Sequence, residues 1–229
     1  VLDTSSLFSL AVCPGSDIDY FKIAGLTGEH LGFYVQGNYS IPGSVLDPDL
    51  TLLDIDSTSP LCENDDQVLA QQTDSELSFT PSENGIYYLK IKAWDHPSGG
   101  GNDYSYLLNL YNESTDPTGS IIYPRNNSYI LSDKVTLSVT ASDLDSGVSH
   151  VAFYWHSGDW ETASPWSLIG EDWNPSDGWI LEYDISQLPF QGRMAFYARI
   201  YDRAGNWTST GVWNISNPNS VYYLPMVSK

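Results

Sequence analysis

The stretch IYYLKIKA, Ile86–Ala93, decides the fold class. Tyr87, Leu89 and Ile91 alternate with Tyr88, Lys90 and Lys92, so that every second residue is apolar. A period of two belongs to an extended chain with one buried and one wetted face, because successive side chains of a strand point to opposite sides. The same alternation recurs in YSYLLNLY, where Tyr104, Tyr106, Leu108 and Leu110 share a face. It recurs in VTLSVTA, through Val135, Leu137, Val139 and Ala141, and in MAFYARIYD, through Phe196, Ala198 and Ile200. No window of a dozen residues carries a helical stripe. The chain is expected to be all-β.

Turn signals divide it. ENG, PGS, DSG and RAGN fall at the spacing of short sandwich strands. NESTDPTGS, residues 112–120, is polar, holds a Pro and a Gly, and follows a complete strand, which marks it as a linker. The expectation is two tandem antiparallel β-sandwiches, over residues 1–111 and 121–217, followed by an apolar, β-prone tail at 218–229.

Composition narrows the function. Among 229 residues, 29 are acidic and 9 basic, for a net charge of −20. Such a field repels phosphate backbones and anionic membrane surfaces, so no nucleic-acid partner is expected. No apolar run reaches the ~18 residues of a membrane span. The start, VLDTSSLFSL, lacks the basic and then apolar pattern of a signal peptide, so the chain reads as a mature or excised piece. Few lysines, many Ser, Thr, Asn and Tyr, and five Asn-x-Ser/Thr sequons (Asn38, Asn112, Asn126, Asn206, Asn214) suit a secreted or cell-surface protein, with those asparagines as candidate glycosylation sites. Cys13 and Cys62 are the only cysteines, and in that setting a disulfide between them is expected, with two buried free thiols as the alternative.

Residues 17–23 (DIDYFKI), 46–54 (LDPDLTLLD), 63–66 (ENDD), 74–95 and 99–111 (GGGNDYSYLLNLY) resemble, in order, the bacterial pre-peptidase C-terminal domain. That resemblance implies a non-catalytic, jelly-roll-like sandwich serving secretion, substrate binding or domain packing, in a family some of whose members bind calcium. VTLSVTASDLDSGVSHVAFYW (135–155) and ARIYDRAGN (198–206) resemble the immunoglobulin-like modules of bacterial secreted enzymes and adhesins. This second pattern implies fold more than function.

Catalytic constellations are wanting. Asp95 and His96 are adjacent on a strand exit and so point in opposite directions, which leaves the histidine without its orienting acid. No GxSxG or HExxH spacing exists. The chain is not expected to be an enzyme. Oxygen-rich clusters are better candidates for calcium, which takes six to eight oxygen ligands. They are Asp47 with Asp49, then Asn64, Asp65 and Asp66, then Asp95 with Asp103 across a glycine loop. In the second domain Asp143, Asp145 and Asp202 lie at strand ends, with Asn206 near Asp202. The alternative at each is an Asx-turn or, near Arg203, an ion pair.

Aromatic residues are the other candidates. Trp155 keeps the inward phase of its strand, whereas Trp160, Trp166 and Trp173 lie in loop-like sequence as ligand or interface residues, or as loop packing. Two functional expectations follow. One is a non-catalytic secreted or surface accessory or adhesion segment that binds a polymer, matrix or surface partner, with calcium stiffening its loops. The other is a subunit of an extracellular filament or layer, in which Tyr222, Leu224 and Met226 of the tail pair with a sheet edge of another copy.

Overall fold

A computed structural model describes residues 7–13, 17–67, 72–94, 101–158, 165–188 and 192–217. The chain forms two compact units. Unit 1 comprises Val1–Thr115 with the turns Leu144–Gly147 and Asp202–Asn206; unit 2 comprises Asp116–Asp143, Val148–Tyr201 and Trp207–Lys229. The regular structure among the described residues is strand apart from two single-turn 3-10 helices, and each unit is an antiparallel β-sandwich.

Unit 1 holds β1 (Leu7–Ala11), β2 (Asp19–Gly25), β3 (Leu31–Gln36), β4 (Pro48–Leu53), β5 (Pro60–Asn64), β6 (Ser75–Phe79), β7 (Gly85–Ala93) and β8 (Ser105–Asn112). They form two sheets, ordered β1-β8-β3-β6 and β2-β7-β4-β5. The alternation of IYYLKIKA is realised in β7, where Tyr87, Leu89 and Ile91 are buried in one core with Phe33, Leu50, Leu52, Tyr106, Leu108 and Leu110. The outward residues of β7 include Lys90 and Lys92.

That topology corrects the disulfide. Cys13 follows β1, at one edge of its sheet, whereas Cys62 sits in β5, which packs beside β6 at the opposite edge. Three strand spacings of ~4.8 Å separate β1 from β6, and a bridge requires Cα atoms within about 7 Å. Both cysteines are free thiols, Cys13 exposed and Cys62 half-buried against the core.

Unit 2 holds β9 (Thr118–Tyr123), β10 (Lys134–Ser142), β11 (Val148–Ser157), β12 (Ser167–Asp172), β13 (Trp179–Asp184), β14 (Arg193–Asp202) and β15 (Trp207–Ser216). Its sheets run β13-β10-β9 and β12-β11-β14-β15. Val135, Leu137, Val139, Phe153, Trp155, Phe196, Ala198 and Ile200 pack between them, as their alternation requires. Both edges of this sandwich are flanked: β15 runs beside β9, and β12 beside β13. Gly170 of β12 marks the second approach, since a Cβ there would stand 2.8 Å from the Leu181 side chain. Closing edges in this way protects backbone groups that would otherwise pair with foreign strands.

Candidate functional site: an aromatic face on unit 2

Every inward side chain of β14 has an outward neighbour, and these neighbours are aromatic or cationic: Tyr197, Arg199 and Tyr201. The register places Tyr201 opposite Trp207, Arg199 opposite Ser209, and Tyr197 opposite Gly211 on β15. On the other side of β14, β11 contributes His150, Tyr154 and His156 to the same face.

These rings pack on each other rather than into the core. His150 is sandwiched, 3.9 Å from the Trp173 ring and 4.5 Å from that of Tyr201, with both pairs close to parallel. Tyr154 stacks on Tyr197 at 4.5 Å, and Trp166 meets Tyr197 edge-on at 4.7 Å. Burial lowers the His150 pKa to about 4, because the rings remove the water that would solvate an imidazolium. His150 is therefore neutral at physiological pH and serves as a spacer in the stack.

Arg199 is held from three strands. Its guanidinium carbon lies 4.2 Å from the centre of the Trp207 ring and 5.8 Å from that of Tyr154, and Nη1 donates to the Tyr201 hydroxyl at 3.2 Å. A carboxylate partner for it does not occur among the described residues, and its buried Nε has no acceptor there.

Beside Arg199 the face opens into a groove of about 410 Å³ whose lining includes Trp166, Tyr197, Trp207, Ser209, Gly211 and Trp213. Trp207 and Trp213 are 46% and 47% exposed, against 8% for Trp155 in the core, so their rings are available to a ligand. Gly211 leaves the floor bare: a Cβ there would meet its nearest atoms, Phe196 O and Tyr197 Cβ, at 3.4 and 3.5 Å, which is ordinary contact. The small residue is thus not imposed by packing beneath it.

The residues expected from sequence fall into place unevenly. Trp166 and Trp173 belong to this face, but as half-buried members of ring stacks flanking β12. Trp160 lies outside the described residues, as do Asp95, His96, Tyr222, Leu224 and Met226. Sequence reading missed Trp207, Trp213 and Arg199. Their signal was present in ARIYDRAGNWTSTGVW, whose outward phase is Arg, Tyr, Trp, Ser, Gly and Trp.

Several expected calcium ligands make contacts with protein groups. Asp49 is buried and pairs with Lys92 at 2.6 Å. Asn64 Oδ1 accepts from the Glu76 backbone N–H, and the Asp65 carbonyl accepts from Ser75 Oγ at 2.8 Å. Within unit 1, both Asp202 oxygens are used by Asn206: Oδ1 accepts its backbone N–H at 2.8 Å and Oδ2 its side-chain amide at 2.9 Å. Asp49 thus takes part in an ion pair, and Asp202 in an Asx-type turn with Asn206. Arg203 pairs with Glu76 at 3.5 Å. Asp47, Asp66 and Asp143 are half-buried, while Asp103 and Asp145 are exposed.

The sequons also divide. Asn38, Asn112 and Asn126 are exposed and Asn214 is half-buried. Asn206 is 4% exposed and its amide nitrogen donates to Asp202 and to the Glu113 carbonyl, so it is corrected from glycan acceptor to turn clamp.

Unsuspected in the sequence was Asp74, fully buried in unit 1. It accepts from the Tyr34 hydroxyl at 3.0 Å, from the Gly37 N–H at 2.8 Å and from the Ser40 hydroxyl. Beside this carboxylate, burial and its negative charge push the Tyr34 hydroxyl pKa up, so the phenol stays a donor. Only the TDSE turn ahead of β6 hinted at it.

Comparison with known proteins gives two findings. Residues 117–179 match the family model described as a bacterial Ig domain, a type that is typically non-catalytic and common in extracellular proteins. Among solved structures, the pre-peptidase C-terminal domain of a collagenase from Bacillus anthracis is similar at 16% identity, with a TM-score of 0.35, covering 47% of this chain and 89% of that one. No curated protein matches the chain. Among the described residues no helix is long and apolar enough to cross a membrane.

Proposed function

We propose that the chain is a non-catalytic accessory module of a secreted or surface protein, which binds an extracellular polymer, matrix or surface component on the aromatic face of unit 2. The observation that carries this is the pair of half-exposed indoles, Trp207 and Trp213, flanking a groove floored by Ser209 and Gly211. Rings that could have been buried are instead kept outward by the strand's own phase. Flat apolar faces with polar edges recognise sugar rings and extended polymers, and buried aromatics dominate interface energies. A volume of about 410 Å³ falls in the range of small-ligand sites.

The match of residues 117–179 to a bacterial Ig domain supports both the extracellular setting and the absence of chemistry. Calcium belongs to the same proposal as a stabiliser, supported by the net charge of −20. Its measure is the melting temperature in millimolar calcium against chelator, which rises if calcium binds and is unchanged if it does not.

The binding test is retention on insoluble polysaccharides, collagen and cell-wall preparations. The expected result is retention on at least one of them, reduced at least tenfold in the Trp207→Ala/Trp213→Ala double variant. Retention on none, or retention indifferent to that variant, overturns the proposal.

A further inference from the structure

Among the described residues, the groove presents one charged group, Arg199, and it is a cation without a carboxylate partner there. In a chain with 29 acidic and 9 basic residues, Lys92 and Arg203 each pair with an acid, Asp49 and Glu76 respectively. Arg199 instead rests on Trp207 and Tyr154 and bonds to the Tyr201 hydroxyl. We infer that the aromatic face binds a glycan through a carboxylate-bearing sugar, the carboxylate meeting Arg199 while neighbouring rings stack on Trp207 and Trp213. This rests on the binding role proposed above for the same face.

Three observations fix the ligand class. First, the guanidinium is immobilised before any ligand arrives, by two rings and one hydroxyl from β11, β14 and β15. A planar fork of N–H donors held in place matches a carboxylate bidentately, and little side-chain entropy is left to lose. Second, the lining is dominated by rings (Trp166, Tyr197, Trp207, Trp213) with Ser209 and Gly211 between them, and its aliphatic side chains, Ala195 and Val212, are small and buried.

Third, the backbone here is closed to strand addition. The Trp213 N–H donates to Asn126 Oδ1 at 2.8 Å, and the Trp213 carbonyl accepts from the Asn127 N–H at 3.1 Å. Ser216 likewise exchanges hydrogen bonds with Ser128 and Ile130. An extended peptide would need those groups. A sugar needs only the faces and the fork.

The overall charge of −20 sets a further condition. A polyuronate would be repelled at long range, so the fitting glycan carries its acidic sugars singly among neutral ones.

The test uses the whole chain and pairs of oligosaccharides that differ only in charge. Sialyllactose and a glucuronate-bearing xylo-oligosaccharide are each titrated beside their carboxyl methyl esters, by calorimetry or by indole fluorescence. The expected result is at least a tenfold preference for the free acid of one of them. That preference falls to near one in Arg199→Gln and partly recovers in Arg199→Lys, which keeps the charge but loses the fork. Equal affinity for acid and ester overturns the inference while leaving polymer binding by the face intact. Retention of a protein matrix at this face without any glycan binding also overturns it. If neither glycans nor polymers bind, the proposed function fails as well.

Discussion

The guanidinium of Arg199 lies 4.2 Å from the centre of the Trp207 indole, across the β14–β15 pairing, and the two hold each other in place on the outer face of the sheet. Trp207 remains 46% exposed, so the contact is worth the modest sum of a solvated cation–π pair, about 0.5–1 kcal/mol. A double-mutant cycle with Arg199→Met and Trp207→Leu, read by urea unfolding, is expected to return a coupling of that size. A coupling indistinguishable from zero would mean that the pair is not formed in solution.

His150 gives the face a pH dependence. Its ring titrates at about 4 in the folded chain and near 6.5 when unfolded, so between those values the unfolded state binds the extra proton. Stability is therefore complete above pH 6.5 and falls as the pH drops towards 4, by up to about 3 kcal/mol. Replacing the ring by a neutral one in His150→Phe removes that component from the acid limb of the stability curve. An NMR titration of the wild-type imidazole near 6.5 would contradict the stacking.

Asp74 is a structural carboxylate. Removing it in Asp74→Ala leaves the Tyr34 hydroxyl, the Gly37 N–H and the Ser40 hydroxyl without their acceptor in a buried site. The expected loss is about 3 kcal/mol or more, against about 1 kcal/mol for Tyr34→Phe, which removes a single bond. Guanidinium unfolding measures both, and equal effects would show that the Asp74 network is not the anchor.

The cysteines offer a direct check on topology. Cys13, exposed, is expected to react with a maleimide at once, and Cys62 slowly, since burial both shields its thiol and pushes its pKa up. Melting should be the same with and without reductant. A reductant-dependent drop would place the two edges of the sandwich within bridging distance and contradict the strand order.

How much of this could be seen in advance follows from what a strand sequence encodes. Alternation named the inward residues of β7, β8, β10 and β14, because burial of one face is the same signal whatever the strand's neighbours. It carries no information on strand order, which is why a bridge between Cys13 and Cys62 looked reasonable until β1 and β5 fell at opposite edges. The outward phase was equally readable but ambiguous. Trp207 and Trp213 become a site only through the register that sets Arg199 and Tyr197 across from Ser209 and Gly211. Trp166 and Trp173 attracted attention as loop residues, yet the structure uses them to brace Tyr197 and His150. Carboxylates were the least legible, since Asp74, Asp49 and Asp202 differ from solvated aspartates only in the donors that tertiary structure brings to them.

The most direct measurement uses Gly211. A side chain there meets only ordinary contacts beneath it, so Gly211→Val is expected to melt within a few degrees of the wild type while filling the groove floor. With any polymer or oligosaccharide that the wild type retains, this variant should bind at least tenfold more weakly. If Gly211→Val folds normally and binds as well as the wild type, the groove between Trp207 and Trp213 is not the binding site, and the account of this face is wrong.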